Sequence, residues 1–177
     1  VLNKGITVEQ IKMAFSMAKR KNIKVQAYNM IGLPGEGPKE ILETIKLNAE
    51  IKADLSVVSI FYPYKGTHLY EICVEKGYFK EENKIPPKNY YSYSVLSLPT
   101  INKKQISFFF HYFHFLKKIY NFLFQLPFHS FFIFLADRFF SFKHVPQLMS
   151  AILNPIAKAK RKVKQSKAKQ DTEAISK

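Results

Sequence analysis

The chain has 177 residues, with 28 Lys or Arg against 13 Asp or Glu, a formal charge of +15 and one cysteine. That length buries the core of one domain or slightly more, and a lone thiol excludes an internal disulfide framework and fits a reducing compartment. The charge is uneven: from Lys158 onward eight basic residues stand against Asp171 and Glu173, which favours anionic partners, either lipid head groups or nucleic acid.

The chain opens on Val1, at what reads as the segment before a helix, so it is expected to be the C-terminal part of a longer protein. No secretory signal pattern is visible at its start. Thr7 and Gln10 have the spacing of a capping box. Val8, Ile11, Phe15 and Ala18 then recur at helical period, and Asn22 suits the stop. An apolar, β-branched run predicts a strand over about 24–31. It ends in Gly32-Leu33-Pro34-Gly35 and feeds a second helix whose first residue is Pro38 and whose apolar face is Ile41, Leu42, Ile45 and Ala49. Residues 55–61 form a nearly continuous apolar run, the pattern of a parallel strand buried on both faces. Thr67 and Gly77 bracket a short third helix. Alternating helices and strands make this part α/β, and the turn at the carboxyl end of a parallel strand is where such folds place ligands.

Three stretches carry a resemblance. Asn29-Met30-Ile31-Gly32-Leu33-Pro34-Gly35-Glu36 resembles the fifth-strand motif of radical S-adenosylmethionine enzymes, I-x-G-x-P-G-E. Val1-Leu2-Asn3-Lys4-Gly5-Ile6-Thr7 resembles the segment after that family's fourth strand, and Phe61-Tyr62-Pro63-Tyr64-Lys65-Gly66-Thr67 the turn after its sixth. They stand in the family's order over residues 1–77, and the match is to the branch that often carries an upstream cobalamin-binding domain. One position departs from the pattern. A Thr commonly follows the motif's Glu and caps the next helix, whereas Gly37 stands here.

The resemblance implies that residues 1–77 are the later strands and helices of a partial (β/α) barrel. The intact enzyme would hold a 4Fe-4S cluster on a C-x-x-x-C-x-x-C loop, cleave S-adenosylmethionine reductively and apply the radical to a substrate that this sequence does not identify. A reductant such as flavodoxin or ferredoxin, a cytoplasmic location and possession of cobalamin by some relatives belong to the same implication. The cluster loop is not in this chain, and a cluster needs several thiolates. Cys73 therefore reads as a small buried residue, and the chain alone is expected to be inactive. Its contribution would be part of the cofactor's cradle: Met30 near adenine, Gly32 allowing close approach, the backbone of Ile31 and Leu33 along the adenine edge, Glu36 at the acidic position and Tyr62 at the mouth. Plain turn structure explains Tyr62 equally well, and Glu36 also suits charge stabilisation of the following helix N-terminus.

Residues 78–105 read as a linker or cover segment, 106–164 as a Phe-rich helical extension divided at Pro127 and again at Pro155, and 165–177 as a basic disordered tail. Lys117, Lys118, Asp137 and Arg138 interrupt the apolar runs, so a membrane-spanning helix is not expected. Two uses of the extension remain open. Phe108, Phe109, Tyr112, Phe113, Leu116, Ile119 and residues 122–124, with Lys117, Lys118 and the tail, offer a surface for an anionic membrane. Positions 108, 109, 112, 113, 116 and 120 serve equally well as a face docked on the α/β part. His111 and His114 share one helix face, and His129 stands among further Phe residues. Without acidic or Cys partners the three read as core or interfacial residues rather than metal ligands. No recognised RNA-binding motif accompanies the basic residues, so no nucleic-acid partner is expected.

Overall fold

The structure, a computed structural model, describes residues 5–79, 92–149 and 151–152. Its elements are α1 (Val8–Arg20), β1 (Gln26–Ile31), α2 (Pro38–Glu50), β2 (Leu55–Ile60), α3 (His68–Glu75), α4 (Lys103–Leu123) and α5 (His129–Phe140). The chain divides into two compact units, Val1–Ser141 and Phe142–Lys177. All of these elements belong to the first; within the second, residues 145–149 and 151–152 are helical. The readings for residues 80–91, for Pro155 and for the basic tail lie outside the described residues.

Local signals set the boundaries. The Thr7 hydroxyl accepts from Gln10 N at 3.1 Å while Gln10 Oε1 accepts from Thr7 N at 2.8 Å, closing the capping box of α1. Asn22 leaves that helix in the left-handed region, φ 56°. Pro38 is the first residue of α2, where its missing N–H costs no hydrogen bond. Gly37 caps α2 without a side chain, and Glu40 Oε2 reaches back to accept from Gly37 N at 2.9 Å. A Cβ at Gly37 would stand 3.2 Å from that oxygen, so the glycine leaves room for this half of a capping box.

β1 and β2 pair in parallel, Ala27 opposite Ser56 and Ile31 opposite Ile60. The fold is thus mixed α/β, largely helical, around a two-stranded sheet; among the described residues these strands do not close a barrel. Ala27 and Ile31 are buried, and Asn29 between them turns its amide to Asn48 of α2, so one face of β1 lies under the helices. α2 presents Ile41, Leu42, Ile45 and Ala49 inward, as their spacing predicts. α1 sets Ile11 and Phe15 against Ala27, Ile51 and Ala53.

Among the described residues, the other face of the sheet is bare. Tyr28 is 78% exposed, Met30 40% and Leu55 53%. The expectation that residues 55–61 are buried on both faces is corrected here. An apolar run records the need for cover, and it does not say whether the covering layer lies within the same stretch of chain.

α4 begins at Lys103, ahead of the predicted 106, because Asn102 and Gln105 form a capping box. It packs on α2 and β2, burying Ile106, Phe108, Phe109, Phe113, Leu116 and Tyr120. Full burial of each large apolar side chain contributes about 1.5–3 kcal/mol, so this face anchors the helix. The docked use of 108, 109, 113, 116 and 120 is therefore the one realised, and the membrane surface drawn through 108, 109, 113 and 116 is closed. Lys117 also turns inward, its Nζ donating to Ala53 O at 3.1 Å and Ser56 Oγ at 3.0 Å. Pro127 falls between α4 and α5 as predicted, in a turn where Phe128 has φ 58°.

Candidate functional site

The carboxyl end of β1 runs into a loop held almost wholly by its own atoms. Glu36 N donates to Leu33 O at 3.0 Å across Pro34 and Gly35. Proline at the second position and Gly35 at φ 83° at the third are the requirements of a type II turn. Gly32, at φ 79°, makes the bend from strand to turn, a conformation that L side chains rarely adopt. A Cβ on Gly32 would meet Ile106 at 3.4 Å and Ile60 at 3.6 Å. Its bare side is thus turned toward α4, and φ, rather than ligand approach from that side, requires the glycine.

Glu36 folds back on the same loop, its Oε2 accepting from the amides of Gly32 and Leu33. Burial is the largest influence on this carboxyl and pushes it up to about 7; the two amide hydrogen bonds oppose the shift. Its own carbonyl accepts the Thr100 hydroxyl at 2.6 Å. The loop is thus clasped from within by Glu36 and from outside by Thr100, with Ile106 beneath Gly32.

The predicted site residues therefore separate. Met30 lies on the bare face of the sheet beside Tyr28, near the carboxyl end of β1. Ile31 is fully buried, and its carbonyl accepts Phe61 N at 2.9 Å. Leu33 and Tyr62 come together in a cluster with Phe61, Cys73, Phe79, Val95 and Leu96. Tyr62 is 6% exposed and sets its ring edge to face with those of Tyr64 and Phe79, a core position rather than an open mouth. Leu33 N–H is engaged by Glu36, so it is not offered to a ligand in this conformation.

Cys73 is fully buried and its thiol is pushed up to about 11 by burial, the state of an inert core residue. Among the described residues no three His, Cys, Asp or Glu side chains converge as metal ligands. His111, His114 and His129 are exposed rather than in the core, and His111 Nδ1 bonds Ser107 O at 2.8 Å. Thr100 and Ile106 escaped the sequence reading as parts of this loop. The spacing of Asn102 and Gln105 could have placed the start of α4, and with it Ile106, in the first turn.

No protein-family model matches the chain. Among curated proteins it is similar to an uncharacterized protein of Methanocaldococcus jannaschii, 32% identical over 91 residues that make up 51% of this chain and 27% of that protein. It is also similar to an uncharacterized methyltransferase of Pyrococcus horikoshii, 29% identical over 110 residues, 60% of this chain and 23% of the relative. The chain thus spans about a quarter of the length of these relatives.

Proposed function

We propose that this chain is part of a radical S-adenosylmethionine enzyme, with residues 1–77 as the later strands and helices of its partial barrel. The observation that carries the reading is the bare face of the parallel sheet at the end of β1. Tyr28 and Met30 stand exposed there, immediately before the Gly32–Glu36 turn and beside the carboxyl end of β2. Parallel strands are stable when covered on both faces, so the missing cover is read as the remaining strands of a barrel. Its interior is then the Met30 side, where ligands of β/α barrels bind at the carboxyl ends of strands.

The adenosyl part of the cofactor fits this side in one respect and not in others. Met30 offers an adaptable apolar contact. Ile31, Leu33 and Tyr62 are committed to the core, and Glu36 holds the loop in shape, so these four position the strand end rather than touch the ligand. The cluster does not fit these residues at all: its cysteines would come from sequence upstream of Val1, and cobalamin, if used, from a domain further upstream. Once bound, S-adenosylmethionine would supply the radical chemistry. Methyl transfer is the reaction class supported by the similarity to the uncharacterized methyltransferase of Pyrococcus horikoshii.

The test uses the complete gene product, reconstituted anaerobically. The reading requires a C-x-x-x-C-x-x-C upstream of Val1 and measurable equilibrium binding of S-adenosylmethionine. Met30→Asp should weaken that binding about tenfold or more, by placing an unpaired charge in an apolar contact, with the circular dichroism unchanged. An upstream sequence without the cysteines overturns the enzyme reading. Unchanged affinity in Met30→Asp removes β1 from the cofactor site.

A further inference from the structure

We infer that α5 is a membrane-surface element whose outward arc lies in the head-group region of an anionic bilayer. The helix is amphipathic the wrong way round for a water-facing surface. At 100° per residue, Phe131, Phe132, Phe134, Leu135, Arg138 and Phe139 share one arc, and all are exposed. Phe134 is 62% exposed, Phe131 59% and Leu135 47%. The packed arc holds Ile133, Ala136, Asp137 and Phe140, so the solvent side carries more large apolar side chains than the side facing α2 and α4. A contiguous apolar surface of this kind marks an interaction site.

Three observations select a lipid surface. Charge complementarity is the first. Arg138 sits within the arc, while Asp137 is turned away to Lys46 and Tyr120, so the arc carries no carboxylate. The chain as a whole is +15, and eight Lys or Arg follow residue 157 in the sequence. Length is the second: a helix of 12 residues spans about 18 Å, short of the hydrocarbon core but suited to lying in its interface. No described helix is long and apolar enough to cross a membrane. The third is the penalty on the alternative of a second copy, which would bring one strongly cationic chain against another. This inference rests on the apolar arc of α5 and on the basic charge of the chain, and it does not depend on the enzymatic reading.

The 177-residue chain contains no tryptophan, so Phe134→Trp provides a single reporter within it at an exposed position. With vesicles of phosphatidylglycerol and phosphatidylcholine the indole emission should shift to the blue and be quenched by brominated acyl chains. Phosphatidylcholine alone should give little of either. In co-sedimentation at a salt concentration that screens the basic tail, Phe131→Gln/Phe134→Gln/Leu135→Gln should partition about tenfold more weakly than the native chain. Its circular dichroism and thermal midpoint should match the native chain's, because all three positions face solvent. Three results overturn the inference: no sedimentation with anionic vesicles, sedimentation with unshifted indole emission (adsorption through the tail), or a lipid-independent shift that tracks a concentration-dependent dimer mass.

Discussion

The Tyr120 hydroxyl donates to Asp137 Oδ1 at 2.6 Å, and the other oxygen of the same carboxylate meets Lys46 Nζ at 2.6 Å. One side chain on α5 is thereby tied to α4 and to α2, which sets the rotation of α5 about its own axis. With Asp137 fixed inward, the apolar arc of Phe131, Phe134 and Leu135 has no direction left but outward.

Removing the hydroxyl tests this tie. Tyr120 is fully buried, and both burial and the neighbouring carboxylate hold its phenol protonated far above the usual range. Tyr120→Phe keeps the ring packing and loses a hydrogen bond to a charged acceptor, a change of about 1.5–3 kcal/mol. Urea denaturation should show that loss. Asp137→Asn in the Tyr120→Phe background should then add less than it does alone, because the two residues act as one unit. Additive effects would mean that the contact does not hold the helices together.

Glu36 predicts a pH dependence. Its folded-state value near 7 lies above the ordinary 4.5, so the protonated form is favoured in the folded chain. Stability from this group is then fully present below pH 4.5 and is lost as pH rises toward 7, by about 3 kcal/mol on the linkage relation. Glu36→Gln keeps an acceptor for the loop amides without the charge. Its urea stability should fall less between pH 5 and pH 8 than that of the native chain. Parallel pH profiles for the two proteins would contradict the assignment.

Asn29 and Asn48 exchange amide hydrogen bonds under the helices, Asn48 Nδ2 to Asn29 Oδ1 at 2.6 Å and Asn29 Nδ2 to Asn48 Oδ1 at 3.2 Å. Asn48 also donates to Thr44 O at 2.9 Å and is 2% exposed. Asn48→Ala leaves part of this set unpaired at a buried position and should lower stability by about 1–3 kcal/mol. Adding Asn29→Ala should lower it further by much less than Asn29→Ala does alone. Equal increments in the double-mutant cycle would show the pair to be uncoupled.

Short-range chemistry was legible where it is strongest. Thr7 with Gln10, Pro38, Thr67 and the Pro34-Gly35 turn all act through atoms a few residues apart, so their spacing alone placed the ends of α1, α2 and α3 and the bend after β1. The docked face of α4 was readable from its period as one of two uses, and packing chose between them. Glu36 was read as a cofactor contact or a helix-end charge. In the structure its carboxylate braces the amides before it, since a glutamate three or four residues on reaches back over a tight turn as easily as it reaches outward.

By itself, then, the sequence determined the elements, the parallel-sheet character and the glycine–proline turn, because each follows from period and local dihedral preference. Only the tertiary structure decided which faces of those elements meet. It turned Ile31, Leu33 and Tyr62 into the core and left Met30 on an uncovered sheet. It drew Lys117, Asp137 and Phe140 inward and turned Phe131, Phe132, Phe134 and Phe139 of α5 out. Those choices depend on contacts such as Lys46 with Asp137 and Gly32 with Ile106, between residues far apart in the chain, and no local period encodes them.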